Sequence, residues 1–256
     1  MTHPTGRIVA LRRFPVKGLS AEPLSAVAVE AGKQIEGDRA FAIENGPSGF
    51  DPESPAFIPK FKFLCLMKNE RLASLATSFD PACGLLTVRR DGEVALEADL
   101  RSDDGKRAVE AWFSEFMGEE LNGPLKVLPA PGEHTFSDTA LGVVSIINRA
   151  SVAAVEDMVG RPVDPLRFRG NIEIEGFGPW EELDWVGREL IVGAVRMKIV
   201  KRTVRCAATN VDPITAERDM KIPATLMKTL GHADCGVYGE VVAGGLIEVG
   251  APVELV

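Results

Sequence analysis

No stretch of this 256-residue chain approaches the roughly 18–20 consecutive apolar residues that a membrane-spanning helix needs, so no membrane span is expected. The opening residues also lack the basic, apolar and small-residue parts of a secretory signal. Histidine is scarce: besides His3 there are only His134 and His232, and neither sits in an H-x-E or H-E-x-x-H pattern. A histidine-built metal site is therefore disfavoured. The four cysteines, Cys65, Cys83, Cys206 and Cys235, are widely spaced without a C-x-x-C pair, which argues against a thiolate zinc site and a disulfide framework. A reducing cytoplasm is the simplest setting. Phosphate-loop and dinucleotide glycine fingerprints, a G-x-S-x-G nucleophile elbow and internal repeats are missing too. Positive charge is in deficit, with 29 lysines and arginines against 37 acids and a net charge of −8. No nucleic-acid or anionic-membrane partner is expected for the chain as a whole, although a local basic pocket for a small anion remains open.

What is present reads as strands. With 45% hydrophobic and 26% charged residues the chain has material for a sizeable core, in one large domain or two modest ones. "AVAVEA" (26–31) and "AFAIEN" (40–45) alternate with period two. "LLTVRRDGEVALEA" (85–98) predicts a hairpin, because Asp91-Gly92 supplies the positive-φ pair of a tight I′ turn. In "ELIVGAVRMKIV" (189–200), Val195, Met197 and Ile199 share one face, with Arg196 and Lys198 on the other. The tail from Gly236 reads as two or three short strands with glycine turns, the rhythm of a β-barrel. Two helices are predicted. In one, Val109, Trp112, Phe113, Phe116 and Met117 form an apolar stripe ending at Gly118. The other covers 151–160, with Ser151 or Asn148 as cap and Gly160 as stop. Residues 45–60 form a Pro/Gly/Ser-rich loop, and 122–138 is the expected boundary between halves.

Chemistry-bearing residues each carry two readings. Cys206 in "TVRCAATNVDP" lies near Lys201, Arg202 and Arg205, and cations stabilise a thiolate suited to a metal or to nucleophilic attack. The other reading is an ordinary small buried hydrophobe, and strand alternation would separate Arg205 from Cys206. Lys17 and Arg39 stand beside glycines at strand-to-turn junctions, as phosphate contacts or as solvated surface charges. Arg167 and Arg169 flank Phe168 ahead of Asn171, as a two-arginine anion clamp or as surface ion pairs. Tyr238 is the only tyrosine, and Asp138 and Asn148 are loop and cap candidates.

Taken together, "RIVALRRFPVKGLS", "FSDTALGVVSIINRASV", "RFRGNIEIEGFGPWEELDWVGRELIVGAVRMKIVKRTVRCAATNVDP" and "GHADCGVYGEVVAGG" resemble the MOSC family, the molybdenum cofactor sulfurase C-terminal domain proteins. The resemblance implies a mainly β fold with a few helices: an N-terminal β-barrel domain over 1–125 and a β-barrel-like MOSC domain over 126–256, closely packed. It implies that Cys206 is the protein ligand to molybdenum of a pterin cofactor (molybdopterin), in a reductase of N-hydroxylated small molecules. Lys17, Arg39 and Arg169 fall where that branch places cofactor-contacting cations, Arg205 adjoins the ligand, and Tyr238 sits where a cofactor-proximal tyrosine is found. Arg167 and Asn171 are expected in the same cofactor site, with Asp138 and Asn148 positioning substrate or protons. The alternative is a sulfur carrier or cofactor-delivery module using a Cys206 persulfide; pyridoxal phosphate binding enters only as a family-level association. The chain departs from the amidoxime-reducing branch at Gly18-Leu19, where that branch commonly has serine and cysteine, and between Asp138 and Asn148. No ferredoxin-type tail follows Val256, so a separate electron-donor protein is expected. No aminotransferase-like desulfurase domain is present, which leaves complete cofactor-sulfurase activity out of reach of this chain alone.

Overall fold

The computed structural model describes residues 5–256, and His3 lies outside them. The first part of the chain carries β1 (Thr5–Arg13), β2 (Glu22–Leu24), β3 (Ala26–Val29), β4 (Phe41–Asn45), β5 (Leu75–Asp80), β6 (Leu85–Arg90), β7 (Glu93–Asp99), α1 (Asp103–Met117) and β8 (Leu125–Pro129). The second carries β9 (Val144–Asn148), α2 (Arg149–Val159), β10 (Ile172–Glu175), β11 (Glu189–Val192), β12 (Val195–Val204), α3 (Ile222–Leu230), β13 (Asp234–Ala243), β14 (Gly245–Glu248) and β15 (Pro252–Leu255).

Seven strands close a barrel in the order β10-β9-β13-β12-β11-β15-β1, shut by pairing of β1 with β10, while β2 extends from β1. Strands from both ends of the chain thus share one sheet: Thr5 faces Glu254 across the β1–β15 ladder. Alternation explains the filling. Val195, Met197 and Ile199 are fully buried inside with Leu190, Val237 and Trp185, while Arg196 and Lys198 point to solvent. Burying each such side chain contributes about 1.5–3 kcal/mol, which is why a one-residue register slip is disfavoured. A β3–β14 ribbon joins the two parts again.

The second core lies under α1. Ser102 caps this helix, accepting from the Gly105 amide at 3.0 Å, with Asp103 and Asp104 in the first turn and Gly118 at its end. Its stripe of Val109, Phe113, Phe116 and Met117 packs on the sheet β5-β6-β7 and on β4-β8. The hairpin expected at Asp91-Gly92 is present, both residues at positive φ (54° and 85°). The segment 122–138, the expected boundary between halves, contains β8, which pairs with β4 along Phe41–Asn45. Asn148, not Ser151, caps α2, accepting from the Ala150 amide at 3.1 Å. Helix α3 was absent from the expected elements. Its Pro223 near the start and Gly231 at the stop were its signals, but nine residues give little periodicity. Helices α2 and α3 pack Val152, Val155, Ile222 and Leu226 over Ile147 and Cys235. Among the described residues, no helix is long and apolar enough to cross a membrane.

Candidate functional site

A cleft of about 370 Å³ opens where the end of β12 and the turn before β10 meet loops from the first part of the chain. Eight lysines and arginines line it against two carboxylates, Asp38 and Asp138, a local excess of positive charge in an acidic protein. A site of this sign attracts an anionic ligand and raises its local concentration.

Cys206 stands on the cleft wall, half-buried. Strand β12 stops at Val204, and its ladder with β13 shifts register between Arg202 and Val204. Such bulges re-aim side chains, and both Arg205 and Cys206 line the cleft instead of parting to opposite faces. A single 3-10 turn, Ala207–Asn210, follows. Thr209 ties it down, donating from its amide (3.1 Å) and its hydroxyl (2.9 Å) to the Cys206 carbonyl. Asp212 closes the motif by accepting from the Ile214 and Thr215 amides. The spacing R-C-x-x-T-x-V-D-P is therefore a folding instruction for presenting one thiol.

The sequence reading missed the lysine that hydrogen-bonds that thiol. Lys60 Nζ lies 3.4 Å from Cys206 Sγ and 2.7 Å from Asp138 Oδ2. Asp138 Oδ1 accepts in turn from Lys17 Nζ at 2.6 Å, and Lys17 also donates to the Phe136 carbonyl at 2.8 Å. Lys60 closes a proline-rich loop, in a 3-10 turn 146 residues before Cys206, so no local pattern pointed to it. Burial works to raise the Asp138 carboxyl, but the two ammonium groups overcome it and hold the acid well below the usual carboxylate range. Burial acts on Lys60 in the downward direction and is outweighed by Asp138 and Cys206, so its ammonium is held above the ordinary value. In Lys17 burial wins, and the ammonium is pushed down despite Asp138.

Arg39 and Arg169 form the opposite wall. Each is a non-glycine residue at positive φ (50° and 52°), and each guanidinium carbon lies 4.3 Å from the centre of the Phe14 ring. Backbone strain at two cleft residues persists only when surrounding contacts enforce it. Those contacts are visible: Arg39 pairs with Asp38 and donates to the Arg169 carbonyl (3.1 Å), and Arg169 donates to the Leu19 carbonyl (2.8 Å). Burial, then the neighbouring Arg39 charge, push Arg169 down to about 9, still charged at neutral pH. Asn171 accepts at Oδ1 from the Ser145 amide and hydroxyl and from Arg39 (3.3 Å), which fixes the wall from behind. Arg205 donates to the Cys235 carbonyl (2.6 Å) and the Phe168 carbonyl (2.8 Å), while its buried Nη2 finds no partner among the described residues. Gly236 (φ +80°) permits this approach, since a Cβ there would meet Arg205 Nη2 at 2.9 Å and the Ile146 carbonyl at 2.5 Å. Tyr238 on β13 also lines the cleft.

Two of the expected site residues have their side chains engaged elsewhere. Arg167 and Arg169 do not form a clamp. The intervening turn is 3-10, and the buried Arg167 guanidinium is spent on Asp212 (2.6 Å) and Asp219 (2.8 Å), with Asp212 coming from the thiol motif itself. Asn148 is fully buried away from the cleft, capping α2 and donating to the Gly178 carbonyl (2.7 Å) and Glu182 (3.0 Å).

Residues 131–254 match the MOSC domain family, and residues 5–120 match the MOSC N-terminal beta barrel domain. The mitochondrial amidoxime reducing component 2 of Bos taurus is 33% identical over 122 residues, 43% of this chain and 36% of that protein. The molybdenum cofactor sulfurase of Anopheles gambiae is 31% identical over 157 residues, 53% of this chain and 20% of that protein. The chain thus spans about a third of the bovine relative and a fifth of the mosquito one. A solved structure, the YUAD protein of Bacillus subtilis, aligns over 99% of this chain and 97% of its own, at 11% identity and a TM-score of 0.49. The two domain matches together take in more than nine-tenths of the sequence, and the chain belongs to the MOSC family, with a MOSC N-terminal beta barrel domain ahead of a MOSC domain.

Proposed function

We propose that this chain binds a molybdenum–pterin cofactor in the cationic cleft, with Cys206 Sγ as the protein ligand to the metal, and reduces N-hydroxylated small molecules with electrons from a separate donor protein. One observation carries the reading: a half-buried thiol opens onto a cleft lined by eight cationic side chains, 3.4 Å from an ammonium group. A thiolate is a soft ligand suited to a thiophilic metal. The remaining donors suit an anionic pterin. Lys17, Arg39 and Arg169 offer cations from three separate elements, and Arg205 keeps a buried N–H without an acceptor. When bound, the cofactor supplies the two-electron chemistry that removes oxygen from nitrogen. The chain's part is to hold the metal at Cys206, to neutralise the anionic end, and to orient substrate beside Asp138, Lys60 and Tyr238.

Protein purified from a host able to make the cofactor is expected to carry about one molybdenum per chain, and Cys206→Ser to carry none. Equal metal in both, or none in either, sinks the reading. The exposed edge of the same thiol favours one alternative, a carrier that holds sulfur as a Cys206 persulfide. That protein would show a cyanide-labile extra sulfur on Cys206 by mass spectrometry and no metal.

A further inference from the structure

Asp138 is held in an unusual way for a surface-loop carboxylate. Among the described residues, its two oxygens accept only from Lys17 Nζ (2.6 Å) and Lys60 Nζ (2.7 Å). Among the described residues it is the only carboxylate paired with either lysine. Lys17 is 5% exposed, so its ammonium needs an anion at this point, and Asp138 supplies it from a side chain that is itself 41% exposed. The segment that delivers it is weakly fixed. Phe136 and Val143 are buried at its two ends, yet no backbone-to-backbone hydrogen bond of the described residues involves 137–142. Apart from those to the Asp138 carboxylate, its hydrogen bonds are internal: Ser137 Oγ to the Thr139 carbonyl (2.6 Å), and the Leu141 amide to Thr139 Oγ1 (3.3 Å).

We propose that Asp138 is a place-holding anion: it fills an oxyanion position framed by Lys17 and Lys60 beside Cys206, and an entering small oxyanion displaces it together with the 137–142 strap. The charges favour the exchange. A phosphate-sized dianion brings more negative charge to the two ammonium groups than one carboxylate, in a cleft whose other cations exceed its acids. Asp138, once released, returns to water without leaving a buried group behind, because its side chain already borders solvent. Lys60 thereby becomes a ligand-contacting residue that also touches the Cys206 sulfur.

The test uses the chain as isolated and inorganic phosphate as probe, so its failure is separable from failure of the metal reading. By calorimetry, Asp138→Asn should bind phosphate at least about ten-fold more tightly than wild type, by removing the internal competitor and its charge. Adding Lys60→Ala to that variant should cancel the gain. Glu133→Gln makes the same charge change close by on an 80% exposed side chain and should leave affinity unaltered. In the wild-type chain, saturating phosphate should speed thermolysin cleavage within 137–142. The proposal is overturned if Asp138→Asn binds no tighter, if Glu133→Gln tightens binding equally, or if cleavage of the strap is indifferent to phosphate.

Discussion

Two regions on the barrel each pair one thiol with one carboxylate, and they do opposite things with them. In the cleft, Cys206 lies near Asp138, and the acid accepts from two ammonium groups. Beneath α2, Cys235 and Glu182 are fully buried, and Glu182 accepts from neutral donors: Ser151 Oγ (2.7 Å), Asn148 Nδ2 (3.0 Å) and the Gly236 amide (3.1 Å). Burial acts upward on both acids. Lysines reverse it for Asp138, whereas neutral hydrogen bonds do not for Glu182, whose carboxyl stays above the usual range. Burial likewise pushes the Cys235 thiol up to about 12, although Arg205 lies alongside. Counter-charge, not concealment, separates a site from a core. Arg205 makes the point: adjacent to Cys206 in sequence, it spends its Nε on the carbonyl of Cys235.

The comparison breaks most visibly in reactivity. At pH 7, Cys206 should be alkylated by iodoacetamide in the native protein, with exposed Cys83 as an internal reference. Cys235 should react at least about a thousand-fold more slowly, because reaching it requires opening the packed layer under α2 and α3, at a cost near that of unfolding. Peptide mass mapping against time reads both rates. Comparable rates would mean that the two thiols do not occupy the different environments described above.

A second break concerns stability. Glu182→Ala strands the Ser151 hydroxyl, the Asn148 amide and the Gly236 N–H without their shared acceptor, all at buried positions. Each such loss costs about 1–3 kcal/mol, partly offset here by removing a disfavoured buried charge, so about 3 kcal/mol of destabilisation is expected in urea unfolding. A loss below about 1 kcal/mol would show that Glu182 does not tie α2 to the barrel.

Legibility in the sequence followed the range of the forces involved. The alternation in β12, the Asp91-Gly92 turn and the apolar stripe of α1 are local patterns, and the structure repeats them. Closure of the barrel by β1 with β10 and β15 joins segments far apart in the chain, and no local periodicity encodes that pairing. In the site, the neighbours of Cys206 left a core cysteine open, and only the family resemblance pointed it toward a cleft, whose wall it lines. Lys60 was not legible, since its partner lies 146 residues away and a lysine after proline carries no pattern of its own. Arg167 left two readings open in the sequence, and the turn of the backbone around Phe168 goes with its ion pairs to Asp212 and Asp219. Asn148 was legible as a cap candidate from its place ahead of the helix, and it caps α2.

The subtlest break is in pH dependence, where the two carboxylates should pull in opposite directions. Asp138 has a depressed folded value, so its contribution is present above the unfolded value of about 3.9 and is lost as pH falls through the folded one. Glu182 has a raised folded value, so its contribution is full below about 4.3 and is lost as pH rises through the folded one. Urea unfolding between pH 3 and pH 8 can compare wild type with Asp138→Asn and with Glu182→Gln. The wild-type advantage over Asp138→Asn should shrink toward acid, and that over Glu182→Gln should shrink toward neutral pH. Each change should stay within about 2 kcal/mol, and the Asp138 share is the smaller for its solvent screening, its side chain being 41% exposed. Parallel slopes would mean that the lysines beside Asp138 do not offset its burial, and the distinction between cleft and core would then rest on exposure alone.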